Sequence, residues 1–167
     1  MLTRLRLPLL FLLVLTVQKS LLSDIDVRDV RPDALLLFVV CAGLVSGSEV
    51  GSLVGFATGL VADLFVQAPL GLSALVFSLL GYAVGAFRSN LIREIWWIPP
   101  LTAFVASMAG VVLYAVIGAV VGQSHFVRPQ LVTTALVVGV MNAVLSLVLV
   151  RLTSWALSWA GQERYAR

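Results

Sequence analysis

One cysteine, Cys41, and one histidine, His125, occur in the whole chain. Cys41 sits inside an apolar run, so the chain can build neither a disulfide framework nor a cysteine-based metal site. No G-x-S-x-G, H-E-x-x-H, G-x-G-x-x-G or Walker-type stretch is present. We therefore assign no catalytic, cofactor-binding or metal-ligating residue, and expect a protein that is not an enzyme. Charge is scarce too, at 11% of residues against roughly 25% in soluble domains. The eleven Lys and Arg exceed the eight acids, but they lie scattered at the ends of apolar runs, without a basic stripe or tail. Nucleic-acid binding is disfavoured by that pattern.

What fills the chain is hydrophobic: 60% of residues, with a mean hydropathy of +1.07. So few charges could not cover a globule of this size without large apolar patches, whereas a bilayer calls for apolar stretches of about 17 to 25 residues with short polar breaks. The expected fold is an all-α, polytopic transmembrane bundle forming one integral-membrane domain over 1–167. Its spans fall near 5–22, 33–47, 50–66, 71–87, 95–121 and 130–151, followed by an interfacial tail, 152–167. Arg4 and Arg6 before Leu7 to Val17 resemble a secretory signal, yet Gln18-Lys19-Ser20-Leu21-Leu22 lacks a small-x-small cleavage pattern, so a retained first span is expected. The stretch 33–66 reads either as two short spans or as a re-entrant hairpin.

With the N-terminus in the cytoplasm, Arg4, Arg6, Arg88, Arg93, Arg151, Arg164 and Arg167 lie inside, and Lys19, Arg28, Arg31 and Arg128 outside. Seven against four favours cytoplasmic termini. Trp96, Trp97, Trp155 and Trp159 would mark the inner interface. Arg31-Pro32 and Arg128-Pro129 each open a span running inward; proline in a first helical turn forfeits no hydrogen bond, so helix initiation accounts for both. A sharper alternative has the two arginines facing a common outer site.

Gly47, Gly51, Gly55 and Gly59 recur every four residues, and Asp63 takes the next place. A four-residue step advances about 40° beyond one helical turn, so Gly51, Gly55, Gly59 and Asp63 form a slowly winding ridge. Small residues let a second backbone come close, which drives helix association in lipid. The ridge serves packing within the chain or against a separate protein. A carboxylate costs roughly 2.5 to 3.5 kcal/mol at a span centre, so Asp63 should face protein. It is expected to pair with Arg31 or Arg128, or to accept hydrogen bonds from the loop Gln67 to Gly71. A proton or cation relay would need further titratable groups along a path, and the spans offer only Glu49 and Arg151 near their ends. Asn142 reads as a helix-to-helix hydrogen-bonding residue.

These residues together resemble the bacterial rod shape-determining protein MreD family. The likeness runs through Arg31-Pro32-Asp33, then Gly51-x-x-x-Gly55-Phe56-x-x-Gly59-Leu60-x-x-Asp63-Leu64, Pro69-Leu70-Gly71, Gly81-Tyr82, and Phe126-x-Arg128-Pro129 before the last span. It implies a non-catalytic, multi-pass protein of the bacterial cytoplasmic (inner) membrane, acting as a scaffold in the cell-elongation complex. It further implies association with a bitopic MreC-like partner and, through that, with MreB filaments and the peptidoglycan polymerase and transpeptidase. In size and span count the chain is also similar to substrate-binding subunits of energy-coupling-factor vitamin transporters, which is the alternative reading. Those subunits carry Ala-x-x-x-Ala on the first span, while residues 7–17 here contain no alanine.

Overall fold

The computed structural model describes residues 2–20, 33–65, 70–91, 97–122 and 131–156. They form six helices: α1 (Leu2–Ser20), α2 (Ala34–Ser46), α3 (Ser48–Asp63), α4 (Leu72–Leu91), α5 (Ile98–Val120) and α6 (Leu131–Ala156). No strand occurs among the described residues. The all-helical expectation holds.

α2 is the axis of the bundle. Its thirteen residues are apolar on every face, and a helix of that kind must be enclosed. Leu37, Val40, Cys41 and Ala42 retain no accessible surface. α3, α4, α5, α6 and α1 stand around it in that order, each packed on its neighbour, and α1 packs chiefly on α2 and α6. Leu10 and Val14 of α1 join Leu35, Phe38 and Val39 of α2 in the largest apolar cluster, with Phe11 tilted against Phe38 at 6.2 Å.

Helix ends follow local chemistry. Asp33 caps α2, its carboxylate accepting from the Leu36 N–H at 3.0 Å, and the Ala34 N–H donates to Gln18 Oε1 at 2.7 Å. Both bonds use donors that a helix start leaves free. Gly47 alone joins α2 to α3, at φ 91° and ψ −175°. That conformation belongs almost exclusively to glycine. α5 opens with Pro99 and Pro100 in its first turn, where a missing N–H costs nothing.

Several helices differ in extent from the expected spans. α2 and α3 form a helical hairpin with a one-residue joint, and α3 stops at Asp63 short of 66 because the carboxylate turns to the start of the next helix. α4 continues four residues past 87 to Leu91, and α6 five residues past 151 to Ala156, with Thr153 and Ala156 buried. The first part of the expected tail is thus bundle helix, while 157–167 lie outside the described residues.

α5 and α6 are long and apolar enough to cross a membrane, at 23 and 26 residues. At 1.5 Å per residue they measure about 34 and 39 Å, against a hydrocarbon core of about 30 Å. Only 33% of the apolar window of α5 and 28% of that of α6 are buried in the bundle, so their hydrophobicity does not serve the chain's own core. Side-chain size is inverted as well. α5 buries Ala103, Ala106, Ser107 and Gly110 and exposes Val105, Val112, Val116 and Val120; α6 buries Ala135, Gly139, Asn142 and Ser146 and exposes Leu136, Val140, Val144 and Val148. Small residues between helices with large apolar ones outside suit a lipid surround.

Candidate functional site

The glycines of α3 meet α4 in a regular antiparallel register. Gly51 lies against Gly81, Gly55 against Phe77, Gly59 against Ala74, and Gly47 with Ser48 against Gly85. A methyl group added at Gly51 would stand 2.5 Å from the Gly81 carbonyl oxygen and 2.8 Å from the Gly43 Cα. At Gly55 and Gly59 it would come under 3.0 Å from the backbone of Phe77 and of Ser73 and Ala74. Real Cβ atoms do not approach backbone so closely, so the seam admits hydrogen only. Gly43 completes it from α2: a Cβ there would meet the Gly81 oxygen at 2.7 Å, so three helices touch backbone to backbone.

The ridge is therefore used inside the chain. Its opposing face, Gly81-x-x-x-Gly85 on α4 with Gly43 on α2, repeats the same four-residue spacing; Gly81 is one of the residues that carry the family resemblance, whereas no sequence pattern marks Gly43 and Gly85. On the other side of α3, Phe56 and Leu60 are 51% and 40% exposed, and Tyr82 of α4 is exposed too. These side chains point away from the seam.

Asp63 closes the seam where α4 begins. It is 3% exposed, and its carboxylate accepts from three backbone N–H groups: Gly71 at 2.7 Å, Ser73 at 3.1 Å and Ala74 at 3.5 Å. Those donors are the ones a helix start cannot satisfy internally, and the positive end of the α4 dipole adds to the attraction. Gly71, at φ +100°, makes the turn that aims its N–H at the carboxylate. Tyr114 of α5 is hydrogen-bonded to Ser73, tying α5 to the same corner. Of the sequence-based candidates for the partner of Asp63, the structure places Gly71 against it. Arg31, Arg128, Pro32 and Pro69 lie outside the described residues, as does His125.

A second polar point lies at the start of α2. Asn142 Nδ2 donates to the Asp33 carbonyl at 3.2 Å and to Ser107 Oγ at 2.9 Å, so one side chain joins α6 to α5 and α2. At the opposite end of the bundle, the Arg6 guanidinium of α1 lies 4.7 Å from the centre of the Trp155 ring of α6. Among the described residues no three His, Cys, Asp or Glu side chains gather as a metal site would require.

A family model described as rod shape-determining protein MreD matches residues 1–153 of the 167. No curated protein and no solved structure matches the chain. The family match covers nearly the whole bundle, from the start of α1 into the last turn of α6. The chain belongs to that family, and with it to the bacterial rod shape-determining system.

Proposed function

We propose that this MreD-family chain is a non-catalytic scaffold of the bacterial elongation complex, a single domain crossing the inner membrane through its helical bundle with both termini in the cytoplasm. In this arrangement the Gly71 end faces outward and the Gly47 end inward. Arg6 over Trp155 at the Gly47 end supports the orientation, since arginines are in excess on the cytoplasmic side and tryptophans sit at membrane interfaces.

One observation carries the scaffold reading: the close-packing glycines are consumed between α3 and α4, while the bundle offers large apolar side chains all round its outside. A bitopic MreC-like partner would then meet a side-chain surface such as Phe56, Leu60 and Tyr82, and the glycine seam would keep that surface in shape. Through such a partner the chain would act on MreB filaments and on the peptidoglycan polymerase and transpeptidase.

Affinity purification of the tagged chain from native membranes tests this. Co-purification of a single-span protein with a large extracytoplasmic domain is expected, and its loss on Phe56→Ala/Leu60→Ala with the bundle intact would locate the contact. Nanomolar capture of a vitamin by the purified chain, without such a partner, would overturn the scaffold reading in favour of a transporter subunit.

A further inference from the structure

Trp155 of α6 carries one arginine on its ring and follows another by a single turn. The Arg6 guanidinium of α1 lies 4.7 Å from the centre of the indole. Arg151 precedes Trp155 by four residues, about 6 Å along α6 and about 40° beyond a full turn, so the two share a face. Both are exposed. Stacking on the indole occupies the face of a guanidinium and leaves its in-plane N–H groups free to donate. The described acids are Asp33, Glu49 and Asp63, and none of them is ion-paired with either arginine. Two cations thus stand beside one ring with no anion among the described residues.

The surface next to them is apolar. Val148 and Val144 lie three and seven residues before Arg151 on α6, and Leu9 and Leu13 lie three and seven residues after Arg6 on α1. At 100° per residue each pair falls within about 60° of its arginine, and all four side chains are more than half exposed. Two packed helices that run in opposite directions therefore repeat one pattern, an arginine at the Gly47 end with an apolar stripe leading away from it. A soluble anion would match the arginines and leave the stripes bare. An apolar helix would match the stripes and leave the charges unpaired.

We propose that Arg6 and Arg151 bind the phosphodiester headgroup of an anionic phospholipid at the membrane surface on the Gly47 side, with its acyl chains along the stripes of α1 and α6. Guanidinium groups match phosphate oxygens with paired N–H donors. Basic sites between membrane helices take anionic headgroups on the cytoplasmic side, which is the side that the proposed orientation gives to this end. Trp155 holds one guanidinium in place beforehand, so less side-chain freedom is lost on binding. The bound lipid bridges α1, which packs chiefly on α2 and α6, to its neighbour in the bundle. This inference rests on the membrane reading above.

Native mass spectrometry of the full chain, in a neutral detergent titrated with phosphatidylglycerol or with phosphatidylcholine, counts the lipids retained. Preferential retention of phosphatidylglycerol is expected, weakened about fivefold for each arginine replaced by glutamine. Arg6→Gln/Arg151→Gln should lose the preference, and Arg88→Gln/Arg93→Gln, which removes the same charge elsewhere, should keep it. Arg151→Gln alone leaves the contact of Arg6 with Trp155 in place and should show its share of the loss even if the double variant misfolds. Equal loss in the two double variants would reduce the preference to net charge and overturn the site. Displacement of phosphatidylglycerol by an equal concentration of inorganic phosphate would show an anion site and overturn the lipid. Extraction of the chain from phosphatidylcholine vesicles by alkaline carbonate would overturn the membrane reading itself, whereas a chain that resists extraction and prefers neither lipid would overturn the site alone.

Discussion

The Asp63 carboxylate and the Gly71 N–H meet at 2.7 Å, binding the last residue of α3 to the turn that starts α4. A charged side chain buried in an apolar bundle is thereby given donors that the next helix cannot use itself. The acid holds a corner of the fold, and its neighbours Ser73 and Tyr114 extend that corner to α5.

Removing the acceptor should cost stability. Asp63→Ala is expected to lower the unfolding free energy by about 1 to 2 kcal/mol, the range for lost helix caps. Asp63→Asn keeps one acceptor oxygen and should lose less. Unfolding titrations of the purified variants in one detergent check the ranking; an Ala variant as stable as the natural chain would exclude the capping role.

The seam between α3 and α4 should reject side chains. Gly55→Leu or Gly59→Leu would drive four carbons into the backbone of Phe77 or Ala74, and the bundle is expected to lose at least the roughly 1 to 3 kcal/mol typical of overpacking. Ala57→Leu, on the exposed face of the same helix, should leave the yield of monodisperse protein unchanged. The opposite ranking would mean that the glycines await another protein.

Gly47→Ala should act at the joint. Its backbone conformation is strained for any residue with a Cβ, by about 1 to 3 kcal/mol, so the variant should unfold earlier than the natural chain. Parallel thermal denaturation of the two proteins provides the comparison.

Asn142→Leu removes two donated bonds and Ser107→Ala one partner of them. Each should destabilise by about 1 kcal/mol or less, as for interhelical hydrogen bonds in membranes. The double variant should cost less than the sum, with a coupling of about 0.5 kcal/mol or more because the two residues touch. Strict additivity would show that the contact does not contribute.

The order of helices and the apolar exterior of α5 and α6 are legible in the sequence because lipid-facing runs need only length and hydropathy. Gly51, Gly55 and Gly59 announce a close approach by spacing alone, but that spacing does not say which backbone approaches. Gly81, Phe77 and Ala74 of α4 supply it, and only their placement opposite α3 identifies them. Asp63 is legible as a residue that must face protein, whereas its choice of Gly71, Ser73 and Ala74 depends on where α3 stops. Asp33, Ser107 and Asn142 are invisible as a group: the bond from Asn142 to Ser107 joins residues 35 apart and that to Asp33 residues 109 apart.

The joint at Gly47 has a consequence for how such chains can vary in length. With one residue between α2 and α3 there is no slack, so inserting a single amino acid there would shift the start of α3 and carry its glycines out of register with α4. Chains of this architecture should therefore tolerate no gain or loss of residues between α2 and α3.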